Sequence, residues 1–211
     1  LGPAQQRDLG DIAPDAPGPP DVACDDQVLL NGTDAAARVS GWLSRIWRLP
    51  VRTLVAIPVY NEEDYVTTVL EKVHRFFPDV LVIDDGSTDA TPSMLAQQPV
   101  DVIRHANNRG YGRSIRDAFR WSQCYRYDWL ITMDCDEQHE PESLPAFFEA
   151  IERDDAEIIS GSRYLDAKLC GDPPPSDRRA INRQITKLLN ERLGLPITDA
   201  FCGFKAYRVA A

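Results

Sequence analysis

The sequence lacks most of the features that would place it quickly in a common class. Its five cysteines, at 24, 124, 135, 170 and 202, are odd in number and include no Cys-x-x-Cys pair. That spacing supplies neither a disulfide framework nor a thiolate zinc site, and it points to a reducing compartment. No apolar run approaches the ~18 residues that a membrane-spanning helix needs. The N-terminus is polar, with no initiator Met and no apolar signal-peptide core, so a processed or trimmed end is expected rather than a secretory leader. There is no internal repeat. There is no basic excess either: the formal charge is −10, which excludes a general nucleic-acid binder. The histidines, His74, His105 and His139, are three, and none is expected to ligate a metal.

What is present has the composition of an ordinary globular domain, with 211 residues, 43% hydrophobic and 27% charged. The charge is uneven. Residues 51–160 carry ten basic side chains against twenty-one acidic, whereas 161–211 carry nine against five. Such a split suits a site that holds a cation on one side and phosphates on the other. Solvated faces alone would produce it too, so charge by itself decides nothing.

Residues 1–34 hold Pro3, Pro14, Pro17, Pro19 and Pro20 among Asp, Gly and Ala, and read as a disordered or loosely draped arm. Val39, Trp42, Leu43, Ile46 and Trp47 then recur at helical spacing beside Arg38, Arg45 and Arg48. This short amphipathic helix either docks on the neighbouring domain or lies on a membrane surface; docking is the commoner fate. The domain proper is expected over 51–211. Apolar runs at 53–59, 79–83, 100–103, 129–133 and 156–160 alternate with helical patterns near 62–76, 89–97, 110–125, 142–153 and 177–193. Strand–helix alternation with near-continuously apolar strands predicts an α/β fold with a mainly parallel sheet covered on both faces. Ser176 or Asp177 is expected to cap the last helix and Gly194 to end it.

Ligands of such sheets bind outside the carboxyl ends of the strands, and the unusual polar residues fall there. Asp134-Cys135-Asp136, followed by Gln138, ends the WLITM run and offers hard oxygen ligands suited to Mg²⁺ or Mn²⁺ shared with phosphates. A bare Asp-x-Asp is otherwise a solvated turn; its delivery by an apolar strand argues for the site. Asp84-Asp85-Gly86-Ser87 follows the second run: Gly86 permits a tight turn and Ser87 or Thr88 can cap the next helix. A plain strand–turn–helix cap leaves the two adjacent acids unexplained.

The ordered segments VAIPVYNEE, VLVIDDGSTDAT, NNRGYGRSIRDAF, MDCDEQHEPESL, SGSRY and TDAFCGFKAYR, spanning roughly 53–209, resemble glycosyltransferase family 2, and within it the dolichol- and polyprenyl-phosphate sugar synthases. The resemblance implies a GT-A fold, one Rossmann-like nucleotide-binding domain, and inverting transfer of a hexose from a nucleoside-diphosphate sugar of the GDP-mannose or UDP-glucose type. Position by position, it assigns Pro58, Tyr60, Glu62, Ile83 and Asp85 to the nucleotide. Asp134, Asp136 and Gln138 match the metal set, Cys135 lines the donor through its backbone, and Arg163 contacts its phosphates. Lys205 stands where relatives keep Arg or Lys, and Asp199 where many keep a catalytic base. Asp85 is expected to accept hydrogen bonds from base or ribose, so that removing it weakens nucleotide binding and leaves the fold intact. Relatives continue past the GFKAYR motif with a segment that closes over donor and acceptor phosphates, which nothing here matches; an incomplete acceptor half is therefore expected.

The acceptor implied is a polyprenyl (dolichyl or undecaprenyl) phosphate, at a cytoplasmic location that can be peripheral on the membrane. The helix over 177–193 bears on it: Ile181, Ile185, Leu188, Leu189 and Leu193 form a stripe, with Arg178, Arg179, Arg183, Lys187 and Arg192 largely off it. That face either meets a lipid phosphate or packs into the core. Two other functions stay open: transfer to a saccharide or small-molecule hydroxyl, with Asp199 as base, and a catalytically silent sugar-nucleotide-binding module.

Overall fold

The computed structural model describes residues 27–30, 51–135, 141–164 and 176–209. The amphipathic stretch at 39–47 lies outside them, as do Asp136 and Gln138.

The elements run β1 (Gln27–Leu30), β2 (Thr53–Val59), α1 (Val66–His74), β3 (Val80–Asp84), α2 (Thr91–Leu95), β4 (Asp101–Arg104), α3 (Tyr111–Cys124), β5 (Trp129–Thr132), α4 (Leu144–Glu152), β6 (Ile158–Ser160), α5 (Ser176–Leu193) and β7 (Lys205–Arg208). The strands form one sheet in the order β1, β4, β3, β2, β5, β7, β6. Its centre, β4 to β5, is parallel. This is the α/β sheet with a parallel centre that the strand–helix alternation predicts, and it fits the GT-A fold that the resemblance implies.

Strand β2 shows how the apolar runs produce layers. Side chains alternate across a strand, so Leu54 and Ala56 enter one core with Leu81, Ile83, Ile103, Leu130 and the α3 residues Ala118 and Trp121. Val55, Ile57 and Val59 point to the other face, against Val66, Leu70 and Val73 of α1 and Leu144, Phe147 and Ile151 of α4. Both faces are dry, and each fully buried aliphatic side chain contributes roughly 1.5–3 kcal/mol.

Two edges depart from the expectation. Gln27–Leu30, inside the segment read as a draped arm, pairs antiparallel with β4 from Gln27 opposite Arg104 to Leu30 opposite Asp101. A four-residue β-forming run there covers an otherwise open sheet edge. At the other side β7 inserts antiparallel between β5 and β6. Its four residues, Lys-Ala-Tyr-Arg, bury only Ala206, too weak an alternation to read as a strand.

Register sets the site. Val59 pairs with Asp84 across β2 and β3, and Ala56 with Thr132 across β2 and β5. The tips of three parallel strands therefore deliver 60–62, 84–87 and 133–135 to one edge.

Candidate active site

The first two tips are laced together by backbone and side chain. Asn61 N–H donates to Ser87 Oγ at 3.0 Å, Thr88 N–H to Asn61 Oδ1 at 2.8 Å, and Glu62 N–H to Thr91 Oγ1 at 2.9 Å. Ser87 and Thr88 are thus spent on the neighbouring strand tip. The N-cap of α2 is Ala90, and the first helical amide, Thr91 N–H, donates to Asp89 Oδ1 at 3.0 Å. Gly86 has φ +76°, and a Cβ there would stand 2.5 Å from the Asn107 carbonyl carbon. Only glycine fits that turn.

The paired acids are explained by their separate partners. Asp84 accepts Ser87 N–H at 2.8 Å and faces Arg104 Nε at 3.2 Å. Asp85, 4% exposed, holds the loop before α3: its Oδ1 lies 2.6 Å from His105 Nδ1 and accepts Arg109 N–H at 2.8 Å, and its Oδ2 accepts Gly110 N–H at 2.7 Å. The far ring nitrogen of His105 is 3.1 Å from Asp117 Oδ2, which also takes Arg113 Nε at 2.5 Å. His105 and Asp117 were absent from the sequence-derived site. Their signal is legible only in hindsight: a histidine directly after an apolar run, and Arg113 and Asp117 four apart on α3.

Asp134 follows β5, beside Gly203. A Cβ at 203 would stand 2.5 Å from Asp134 Oδ2, so glycine makes the space that this carboxylate occupies. Burial, and then the charge of the neighbouring Asp134, push the Tyr111 phenol above its ordinary range. Lys205 donates to the Cys202 carbonyl, and burial pulls its ammonium below the ordinary lysine range. An acidic oxygen donor at a strand tip, seated against bare backbone, fits a hard divalent ion. Its expected partners Asp136 and Gln138 lie outside the described residues, among which no group of three His, Cys, Asp or Glu side chains gathers.

Arg163, after β6, is clamped by Asp199: Nε to Oδ2 at 2.8 Å and Nη2 to Oδ1 at 3.1 Å. Asp199 also accepts Asn182 Nδ2 at 2.8 Å, Phe201 N–H at 3.1 Å and Arg163 N–H at 3.3 Å. Burial pushes its carboxyl up, but the hydrogen bonds and charge of Arg163, with help from Asn182, outweigh this and hold it below the ordinary carboxylate range. Such a carboxylate is a weak proton acceptor. Helix α5 docks here through polar groups four apart, because Thr186 Oγ1 bonds Asn182 Oδ1 and Asn190 exchanges bonds with the Ile197 backbone at 2.8 and 3.1 Å. The apolar stripe is consequently only partly covered: Ile181 is 55%, Leu188 47% and Leu193 62% exposed, while Ile185 and Leu189 are half-buried. The helix ends at Gly194 (φ +65°), as expected. A cavity of about 500 Å³ lies along it, lined by Tyr164, Arg179, Asn182, Arg183, Lys187 and Thr198 among others.

Of the remaining expected residues, Tyr60 is exposed, Pro58 and Glu62 are half-buried, and all three sit at the β2 tip. Ile83 is not brought to the edge: its side chain is fully buried beneath α3. Cys135 turns its thiol into the opposite core.

A strand-tip carboxylate beside a second acid-bearing turn, at the carboxyl edge of a parallel sheet, is an arrangement suited to a divalent ion and a phosphate-bearing ligand. Residues 54–211 match the family described as glycosyl transferase family 2, and the chain belongs to that family and is a glycosyltransferase. It is 34% identical over 165 residues to an undecaprenyl-phosphate mannosyltransferase of Micrococcus luteus, covering 75% of this chain and 67% of that one. It is 32% identical to a polyprenol monophosphomannose synthase of Mycolicibacterium smegmatis, covering 74% and 62%. The chain thus spans about two thirds of the length of these relatives. A solved structure, the glucosyl-3-phosphoglycerate synthase of Mycobacterium tuberculosis with Mn²⁺ and UDP, superposes with TM-score 0.57 at 17% identity, covering 75% of this chain and 57% of that one.

Two outcomes follow from this geometry. Asp85→Ala takes the acceptor from three donors at once, at roughly 1–3 kcal/mol for each one left buried and unpaired. The fold therefore does not stay untouched, and urea unfolding should show a loss of about 3 kcal/mol; undiminished stability would return Asp85 to a purely ligand-facing role. The depressed Asp199 carboxyl contributes stability that is complete above its unfolded pKa of about 3.9 and is lost as pH falls through the lower folded value. The stability gap between the parent chain and Asp199→Asn should hence be full at neutral pH and close as the solution is acidified below about 4; a gap independent of pH would contradict the assignment.

Proposed function

We propose that this domain moves a hexosyl group, with inversion, from a nucleoside-diphosphate sugar of the GDP-mannose or UDP-glucose type to a polyprenyl phosphate. The observation that carries this reading is the engagement of Asp199. A hydroxyl acceptor needs a base to take its proton, and the carboxylate at the expected position is buried, accepts five hydrogen bonds and is held acidic by Arg163. A phosphate acceptor is already anionic and needs no such base. Support also comes from the names of the two relatives above, both of which act on polyprenyl carriers.

The reaction is a single in-line displacement. An acceptor phosphate oxygen bonds the anomeric carbon as the bond to the donor diphosphate breaks, and the diphosphate leaves with the electron pair. A divalent ion, Mg²⁺ or Mn²⁺, held by Asp134, Asp136 and Gln138 would supply charge neutralisation for that leaving group. Arg163, fixed in place by Asp199, adds a preorganised cation on the same side, with Lys205 nearby. Tyr60, Pro58, Glu62 and Asp85 shape the nucleotide end of the groove, Asp85 by holding the 105–110 loop. No helix among the described residues is long and apolar enough to cross a membrane. The exposed stripe of α5, flanked by Arg178, Arg179, Arg183, Lys187 and Arg192, supports peripheral contact with an anionic lipid surface.

Transfer assays with labelled donor, Mn²⁺, and either a polyprenyl phosphate in vesicles or a soluble alkyl glycoside test the reading. Product should form on the phosphate, with inverted anomeric configuration. Asp199→Asn should lose about tenfold or less, against the ~10²–10⁴-fold that removal of a general base takes away. Transfer to the glycoside alone, abolished by that substitution, would overturn the choice of acceptor.

A further inference from the structure

Helix α3 buries its apolar side chains in its second half, where Ala118 and Trp121 enter the core. The first half, from Tyr111 to Asp117, buries Ser114 and Asp117 instead. It is held by a chain of polar contacts that starts at the β3 tip. Asp85 Oδ2 accepts the N–H of Gly110, the cap of α3, at 2.7 Å, and Asp85 Oδ1 lies 2.6 Å from His105 Nδ1. The other ring nitrogen of His105 lies 3.1 Å from Asp117 Oδ2, which also accepts a hydrogen bond from Arg113 Nε at 2.5 Å. Asp85, His105 and Asp117 are all buried. One carboxylate thus grips the helix at two places, Gly110 directly and Asp117 through the imidazole, about two turns apart along the axis.

A helix end held at one point pivots about it, and a second point removes that freedom. We infer that His105 and Asp117 are positioning residues for the donor nucleotide: they fix the start of α3, and with it the 106–110 loop, against the β3 tip. This role presupposes the donor-site reading above. The loop carries exposed Asn107, Asn108 and Arg109, and it passes so close to the Gly86 turn that a Cβ at 86 would stand 2.5 Å from the Asn107 carbonyl carbon. Loop and turn therefore form one wall at the nucleotide end of the groove. Preorganised sites hold their groups within about 0.5 Å of the productive position, so a small shift of that wall is costly. His105 and Asp117 are buried behind it and act through Asp85 and the helix start. A merely structural polar cluster would stabilise the fold and leave nucleotide affinity alone, and that difference separates the two roles.

The test is calorimetric titration with GDP and with UDP, in EDTA and in Mn²⁺, well below every melting temperature. It compares the parent chain with His105→Asn, Asp117→Asn, the double variant and Leu70→Ala. An asparagine amide stands where Nδ1 was and keeps a donor for Asp85, but it lacks the far nitrogen and so cuts the link to Asp117. Asp117→Asn keeps the volume of its side chain. Each should weaken nucleotide binding about tenfold, in EDTA and in Mn²⁺ alike, and the double variant should bind no more weakly than either, as residues of one network behave. Leu70→Ala, which opens a cavity in the core on the other face of the sheet, should lower the melting temperature and keep the parent affinity. A parent chain that binds neither nucleotide would overturn the donor-site reading, and this role with it. Parent-like affinity in folded His105→Asn and Asp117→Asn would overturn the role of the pair alone. So would losses that add in the double variant, or an equal loss in Leu70→Ala. Should His105→Asn fail to fold, Asp117→Asn decides by itself.

Discussion

The structure depends on one electrostatic constraint: carboxylates that follow the strand ends are buried or half-buried, and each needs partners of its own. A buried carboxylate is tolerated only where hydrogen bonds or cations offset its charge. Here the offsets are distributed through the fold. Arg104 and Ser87 serve Asp84, His105 and two backbone amides serve Asp85, and Arg163 with Asn182 serves Asp199. These contacts also join the end of β3 to the start of α3, and the segment after β6 to α5. The polar network that makes the edge tolerable is thus the network that positions its groups, which is preorganisation in the sense that catalysis uses.

The same constraint explains the odd packing of α5. Asp199 and the 197–200 loop demand polar partners, and Asn182, Thr186 and Asn190 supply them from one face of the helix. Satisfying that demand leaves Ile181, Leu188 and Leu193 of the apolar stripe exposed, with Ile185 and Leu189 half-buried. An amphipathic helix normally buries its apolar face; here the buried face is polar, leaving the stripe and its arginines at the surface.

Much of this was legible in the residues. The central strands were, because buried parallel strands are continuous apolar runs, and β2, β3 and β5 fall almost where the runs do. The strand tips that carry Tyr60, Asp85 and Asp134 were legible for the same reason. What escaped was whatever depends on distant partners. Asp85 read as a ligand group because nothing local reveals that its oxygens are taken by residues 20 to 25 positions on. Ile83 read as part of the site by resemblance, while its parity along β3 sends it under α3. The strands at 27–30 and 205–208 owe their existence to open neighbouring edges rather than to their own pattern.

The most direct test of the account is to locate the metal. Crystals of the chain soaked with Mn²⁺ and GDP or UDP, measured at the manganese absorption edge, should show an anomalous peak bonded to Asp134, with the diphosphate between it and Arg163. A peak elsewhere, for instance along α5, with none at Asp134 beside a bound nucleotide, would contradict it.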